Sequence, residues 1–382
     1  MKIIADSQIP FVQEAFSNIG DVTLYEGREI TSQLLLDADI LVVRSVTPVN
    51  EKLLGKSRIR FVATATSGID HVDTVFLERN GIGFISAHGS NAQSVVEYIL
   101  SSLFVLASQN EFDPFKKSVG IVGCGKVGSR LMSIFKTIGI HCLVNDPPLK
   151  DNTGSDIYKK LSEIINLDIV TLHVPLTDQG LYPTKNLVDE KILSTMKKDA
   201  VLINTSRGQV ICEKALKEYI ANNKDFLVVI DVWENEPEIW LDLLKRVAIG
   251  TPHIAGYSID AKIKATEMIF AEACRYFDIK QNWSLEGNLP ELGVQEVMID
   301  STLSDQEAIQ MAVLSHYDVR SDAASLRRVL EIDRSKAGYY FDELRKNYPV
   351  RRSFSATTLN LPTGRTDLAD MLKIIGFNII WH

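Results

Sequence analysis

The chain reads as an α/β protein with two doubly wound, Rossmann-like domains, the first discontinuous, and a small α+β domain at the C-terminus. Three observations predict this. Short β-branched or apolar runs alternate with helical patterns through most of the 382 residues, as in βα units on a parallel sheet. A glycine loop, Gly123-Cys124-Gly125-Lys126-Val127-Gly128, follows the apolar strand S-V-G-I-V and opens a helical pattern, the context a dinucleotide fingerprint requires. Two long helical patterns, 92–108 and 259–282, are expected to cross between domains, so that a returning segment completes the first one.

The elements follow in order. The N-terminus, M-K-I-I-A-D-S-Q-I-P, supplies a first strand at Lys2–Ala5. It has neither the long apolar core nor the small-residue cleavage site of a signal peptide. Helical spacing spans Phe11–Asn18, and apolar runs at Ile40–Val43 and Phe61–Ala65 are each closed by polar or glycine residues. Asn91 is placed to cap the helix Ala92–Ser108. The second series has strands at Val119–Val122, His141–Asn145, Ile169–His173, Ala200–Asn204, Phe226–Asp231 and Val247–Gly250. Its helices are Val127–Ile138, Tyr158–Ile165, Asp189–Thr195 and Glu213–Asn222, and Ile259–Asn282 follows. From Trp283 the stretch W-S-L-E-G-N-L-P-E-L-G reads as a linker. Beyond it, Tyr339–Arg352 reads either as a solvated helix followed by a strand or as a subunit interface.

Composition narrows the function. Hydrophobic residues make up 45% and charged residues 24%, ordinary for a globular protein. A net charge of -8 argues against a nucleic-acid partner, which needs a basic face. It leaves room for a small anionic substrate in a locally positive pocket. None of the four cysteines forms a C-x-x-C pair or lies at metal-ligand spacing with histidine. The expectation is four reduced thiols in a cytoplasmic protein and no metal. No apolar run approaches the ~18 residues of a membrane span, so no membrane association is expected.

The glycine loop assigns the cofactor. The first glycine permits the tight turn, the second lets backbone approach a pyrophosphate, and the third lets helix pack on strand. The pyrophosphate charge rests on the helix N-terminus. Asp146 ends the next strand, where a carboxylate accepts hydrogen bonds from a ribose 2′-hydroxyl and repels a 2′-phosphate, which favours NAD over NADP. Asp231 ends a later strand, placed either to bind the nicotinamide carboxamide or to hold a turn.

Three residues carry the candidate chemistry. Oxidising a secondary alcohol needs a base near neutral pKa, and His253 lies just past a strand end in T-P-H-I-A-G-Y. A carboxylate paired with it would favour imidazolium and fix the ring tautomer. Glu236, in D-V-W-E-N-E-P, is the candidate, with Glu234 as a nearby rival. Arg207, in N-T-S-R-G, can anchor a substrate carboxylate by a bidentate hydrogen bond. His173, in T-L-H-V-P-L, also ends a strand and is expected to shape the cofactor pocket.

These motifs, with V-R-S-V-T at 43–47 and T-A-T-S-G-I-D-H-V-D at 64–73, make residues 1 to about 282 resemble the D-isomer-specific 2-hydroxyacid dehydrogenases. The resemblance implies that Arg207, Glu236 and His253 are catalytic. It implies substrate contacts at Ser45, Thr66 and Tyr257, and cofactor contacts at Val174, Thr205, Ser206, Arg207, Asp231 and Gly256 beside Asp146 and the glycine loop. Family members are usually homodimers with a split substrate domain. Tyr257 and the C-terminal extension, with Y-P-V-R-R-S-F, point within the family to a phosphorylated hydroxy acid as substrate and to dimerisation through that extension. The implied domains are 1–93 with 257–283 for substrate, 94–256 for NAD, and 284–382 for dimerisation. Arg44, beside Ser45, is the expected phosphate ligand, with Arg351 or Arg352 of a partner subunit as a further cation. Pro183, in T-D-Q-G-L-Y-P-T-K-N, has no place in the pattern.

Overall fold

The computed structural model describes residues 1–284 and 295–382. Most of the expected linker after Trp283 therefore lies outside the described residues. The chain forms two compact units. One holds Met1–Asn91 and the chain from Ser258; the other holds Ala92–Tyr257 and the C-terminal segment.

The first unit contains β1 (Lys2–Asp6), β2 (Asp21–Tyr25), β3 (Ile40–Val43), β4 (Phe61–Thr64) and β5 (Gly83–Ser86). They form a parallel sheet in the order β2-β1-β3-β4-β5. The central strands β3 and β4 are buried along their whole length, which is why they read as continuous apolar runs. The edge strands β2 and β5 were missed in the sequence. They are partly exposed and carry no such run. The helix Ile259–Tyr276 completes this unit, with Phe270 edge-on to Phe16 at 5.4 Å. Ser258 caps its start. It stops before Asn282 because Asp278 turns left-handed (φ 54) and the Ile279 amide closes on the Cys274 carbonyl at 2.8 Å.

The second unit contains β6 (Ser118–Val122), β7 (His141–Asn145), β8 (Ile169–Leu172), β9 (Val201–Asn204), β10 (Leu227–Ile230) and β11 (Ile249–Gly250). Their order is β11-β10-β9-β8-β6-β7, all parallel. After β6 the chain runs out to the edge strand β7 and returns to β8 on the other side of β6. Ligands bind at the carboxyl ends of strands at such a switch point. The expected helix Tyr158–Ile165 shrinks to Leu161–Ile164, because Tyr158 bridges Val144 and the Lys159 amide donates to the Val144 carbonyl at 2.7 Å.

The helix Ala92–Gln109 is buried on almost every side, including its polar Ser94, Glu97, Ser101 and Ser102. It packs between the helices Lys126–Thr137 and Asp305–His316. The C-terminal segment adds β12 (Gln295–Met298), β13 (Thr357–Leu361) and β14 (Asn378–Trp381), a parallel three-stranded sheet with β13 central. Its Phe354, Leu359 and Leu372 share a core with Phe104 and Leu131. After the helix Ala337–Lys346 no strand forms over 347–353. Pro349 offers no N–H, and Arg351 turns inward. Its guanidinium donates to the Ser94 and Ala255 carbonyls (3.0 and 2.7 Å) and lies over the Tyr317 ring. Among the described residues all four cysteines are free thiols, and no helix is long and apolar enough to cross a membrane.

Candidate active site

The glycine loop fits a dinucleotide for reasons visible atom by atom. Gly123 adopts φ 91, and a Cβ there would lie 2.5 Å from the His173 carbonyl oxygen at the end of β8. A Cβ on Gly128 would lie 2.0 Å from the Gly123 carbonyl oxygen. Around Gly125, by contrast, nothing lies within 4 Å of a built Cβ. That open cradle sits where the helix Lys126–Thr137 begins without a side-chain cap, so its first N–H groups are available to an anion. Asp146 binds the loop from the next strand. Its Oδ2 accepts from the Cys124 amide (2.8 Å) and its Oδ1 from the Leu149 amide (3.0 Å). Each oxygen keeps lone-pair capacity for a ribose hydroxyl. Val174 packs 3.0 Å from the position of a Gly123 Cβ. The His173 ring is hydrogen-bonded to Thr171 at 2.9 Å, and burial pushes its pKa down to about 3, so it stays neutral.

Arg207 is positioned by the turn that ends β9. Buried Asn204 accepts from the Ser206 amide and hydroxyl (3.0 and 2.7 Å) and donates to the Arg207 carbonyl (2.9 Å). The Arg207 Nη1 donates to the Ser206 carbonyl. Gly208 then packs directly on the next loop, where a Cβ would lie 2.0 Å from the Trp233 carbonyl carbon. Only glycine lets N-T-S-R-G approach D-V-W-E-N-E-P this closely.

Glu236 and His253 meet. The Glu236 Oε1 accepts from the Trp233 amide at 2.8 Å, and its Oε2 accepts from the His253 Nδ1 at 2.7 Å. Burial works against the Glu236 charge, but His253 and Arg345 outweigh it and hold the carboxyl below its usual range. The rival Glu234 points its amide elsewhere, into the Glu213 Oε1 at 2.8 Å. Glu213 is 1% exposed. Burial, with Glu234 and Glu236 nearby, raises its carboxyl to about 7.

His253 itself sits at φ 57, a conformation costing about 1 kcal/mol or more for a non-glycine residue. Asp231 holds it there. Its carbonyl accepts from the His253 amide at 2.8 Å. Its carboxylate accepts from Ile254 and Ala255 amides and the Thr251 hydroxyl at 2.6 to 2.9 Å. The turn role left open in the sequence is the one these bonds display. Thr251 is itself held by the Tyr98 hydroxyl (2.7 Å) and the Trp233 indole (2.9 Å).

Tyr257, one residue after Gly256, accepts a hydrogen bond from the Arg345 Nη2 at 3.1 Å. Arg44, Ser45 and Thr66 belong to the other unit. Ser45 is exposed, and Thr66 bonds to Thr64 and the Gly68 carbonyl. Arg44 is committed to buried Asp6 at 2.9 and 3.2 Å. Pro183 lies in a loop closed by mutual hydrogen bonds between Thr177 and Thr184. Sequence reasoning missed Asn204, Gly208, Glu213 and Arg345. Only the first two had a signal, since both stand inside N-T-S-R-G.

Residues 106–255 match the family model described as D-isomer specific 2-hydroxyacid dehydrogenase, NAD binding domain, and residues 288–376 match a domain of unknown function. The chain belongs to the D-isomer specific 2-hydroxyacid dehydrogenases, and its cofactor is NAD. It is 41% identical to the erythronate-4-phosphate dehydrogenase of Hahella chejuensis, over 99% of both chains. It is 42% identical to that of Escherichia coli strain UTI89, over 100% of this chain and 99% of the other. NAD-bound 3-phosphoglycerate dehydrogenase of Entamoeba histolytica shares the fold, with a TM-score of 0.62 at 22% identity, over 74% of this chain and 98% of that one. D-lactate dehydrogenase of Aquifex aeolicus does so with a TM-score of 0.59 at 23% identity, over 72% and 95%.

Proposed function

We propose that the chain oxidises 4-phospho-D-erythronate to (R)-3-hydroxy-2-oxo-4-phosphobutanoate with NAD, within pyridoxal 5′-phosphate biosynthesis. The observation that carries the chemistry is the Glu236–His253 hydrogen bond, on a loop pressed against Gly208 and therefore beside Arg207. The full-length relatives support the substrate.

Bound over the glycine loop and Asp146, NAD supplies a hydride acceptor. The chain's own residues do the rest. Arg207 offers its guanidinium fork to the substrate carboxylate. His253 takes the hydroxyl proton. Its Nδ1 is engaged by Glu236, so Nε2 is the nitrogen left for that proton. Glu236 fixes the ring and stabilises the imidazolium that forms. Asp231 keeps the turn in register from below.

We read the division of labour as 1–93 with 257–283 for substrate and 94–256 for NAD. We assign 284–382 to homodimerisation, in a cytoplasmic protein. Exposed Met298, Tyr339 and Trp381 support an interface on that segment, and sedimentation tests it. The functional test compares initial rates of NADH formation on 4-phospho-D-erythronate and 3-phosphoglycerate. A preference for the first supports the assignment. A preference for the second replaces it. No NADH from any hydroxy acid points to an NAD-binding sensor on the same fold.

A further inference from the structure

Arg44, Arg351 and Arg352 are three candidate cations for the far, phosphorylated end of the substrate, and the first two are already engaged. Arg44 makes a two-point ion pair with Asp6. Arg351 is 7% exposed, and its Nη2 is taken up by the Ser94 and Ala255 carbonyls while its Nε and Nη1 are buried without a partner. The Arg352 backbone carbonyl accepts from the His316 ring Nε2 at 2.9 Å.

Arg345 bonds to a side chain of the catalytic turn. It lies near the end of the helix Ala337–Lys346 and reaches back to the turn that carries His253. Its Nη2 donates to the Tyr257 hydroxyl at 3.1 Å, and its guanidinium lies 5.8 Å from the Tyr257 ring centre. Its Nε is buried with no hydrogen-bond partner, and among the described residues no carboxylate comes within ion-pair distance of it. The residue as a whole is only partly enclosed. A largely buried cation with an unsatisfied N–H is costly unless something anionic completes it. Glu236 and Asp342 are near enough to feel its charge without reaching ion-pair distance, and Glu236 is taken up by His253 and Trp233.

We propose that Arg345, presented by the C-terminal segment against Tyr257, is the specificity-determining cationic subsite for the substrate's distal phosphate. The inference rests on the substrate reading above and gives the segment of unknown function a chemical role in the site. Tyr257 serves as the other wall, its hydroxyl orienting the guanidinium fork and its ring packing under it. Its backbone is fixed by the bond from its amide to the Ile254 carbonyl at 2.8 Å, so the subsite and the base ride on one turn.

The test uses the NAD-loaded full chain with Arg345→Met and Arg345→Lys. Inorganic phosphate is titrated calorimetrically into wild type and both variants. Loss of a charge-assisted contact predicts about 10- to 100-fold weaker phosphate binding for Arg345→Met and a smaller loss for Arg345→Lys. The ratio of kcat/KM on 4-phospho-D-erythronate to that on D-erythronate should fall by a similar factor in Arg345→Met, mostly through KM. If phosphate binding and this ratio are both unchanged while the two rates fall together, Arg345 merely supports Tyr257 and the subsite is refuted. A wild type inactive on 4-phospho-D-erythronate would overturn the substrate reading alone, since the phosphate titration still decides Arg345.

Discussion

Glu213→Gln removes a titration built into the wall of the site. Glu213 is 1% exposed, accepts one amide N–H from Glu234, and has its second carboxyl oxygen buried without a partner. Burial raises its pKa to about 7 from 4.5. The folded protein thus holds this proton more tightly than the unfolded chain does. Below pH 4.5 both states are protonated and the site is neutral in effect. Between pH 4.5 and about 7 the unfolded chain is ionised while the folded state keeps its proton, so stability falls across that window and levels off above it. At ~1.4 kcal/mol for each pH unit between those two values, the full loss is about 3.5 kcal/mol. Gln keeps the acceptor for Glu234 and cannot ionise. Urea unfolding of both proteins across pH 5 to 8.5 provides the assay. The stability difference between variant and wild type should shift in the variant's favour by about 2–3 kcal/mol over that range. A difference independent of pH would show that Glu213 is ionised throughout and would refute the reasoning.

Three further outcomes follow from the site. His253→Ala should lower kcat by about 100- to 10,000-fold, the range for a lost general base, while a fluorescence titration with NAD still saturates. Glu236→Gln should cost about 2–4 kcal/mol of transition-state stabilisation, or two to three decades in kcat, read in steady-state NADH formation. Gly208→Ala puts a Cβ 2.0 Å from the Trp233 carbonyl carbon where ordinary contact begins near 3.4 Å. The two loops must part by about 1 Å, and a displacement of that size costs about 100-fold in rate. Circular dichroism should show the fold retained.

Much of this was legible in the sequence because the same residues serve fold and site. β3, β4 and β6 to β11 are apolar runs closed by polar residues, and the strand ends they mark carry Asp146, Arg207 and His253. The glycine loop was legible because steric demands fix two of its three glycines. Edge strands β2 and β5 were not, since half-exposed strands lack the pattern. The overlong helices failed for local reasons: a β-bridge at Tyr158 and a left-handed Asp278. Long-range partners were the least legible. Nothing in the spacing ties Asp6 to Arg44, Glu213 to Glu234 or Arg345 to Tyr257. Choosing Glu236 over Glu234 also needed three dimensions, because only the loop closed by the Trp233 amide aims one acid at His253.

The central claim is that His253, paired with Glu236 and beside Arg207, takes the hydroxyl proton while the C2 hydride leaves for NAD. The most direct measurement uses 4-phospho-D-erythronate deuterated at C2, with wild type and His253→Ala, and follows the label by mass spectrometry. The account predicts one deuterium in each reduced nicotinamide formed by wild type, and labelled cofactor accumulating about 100- to 10,000-fold more slowly with the variant. Label released to solvent, or equal transfer by both proteins, would contradict it.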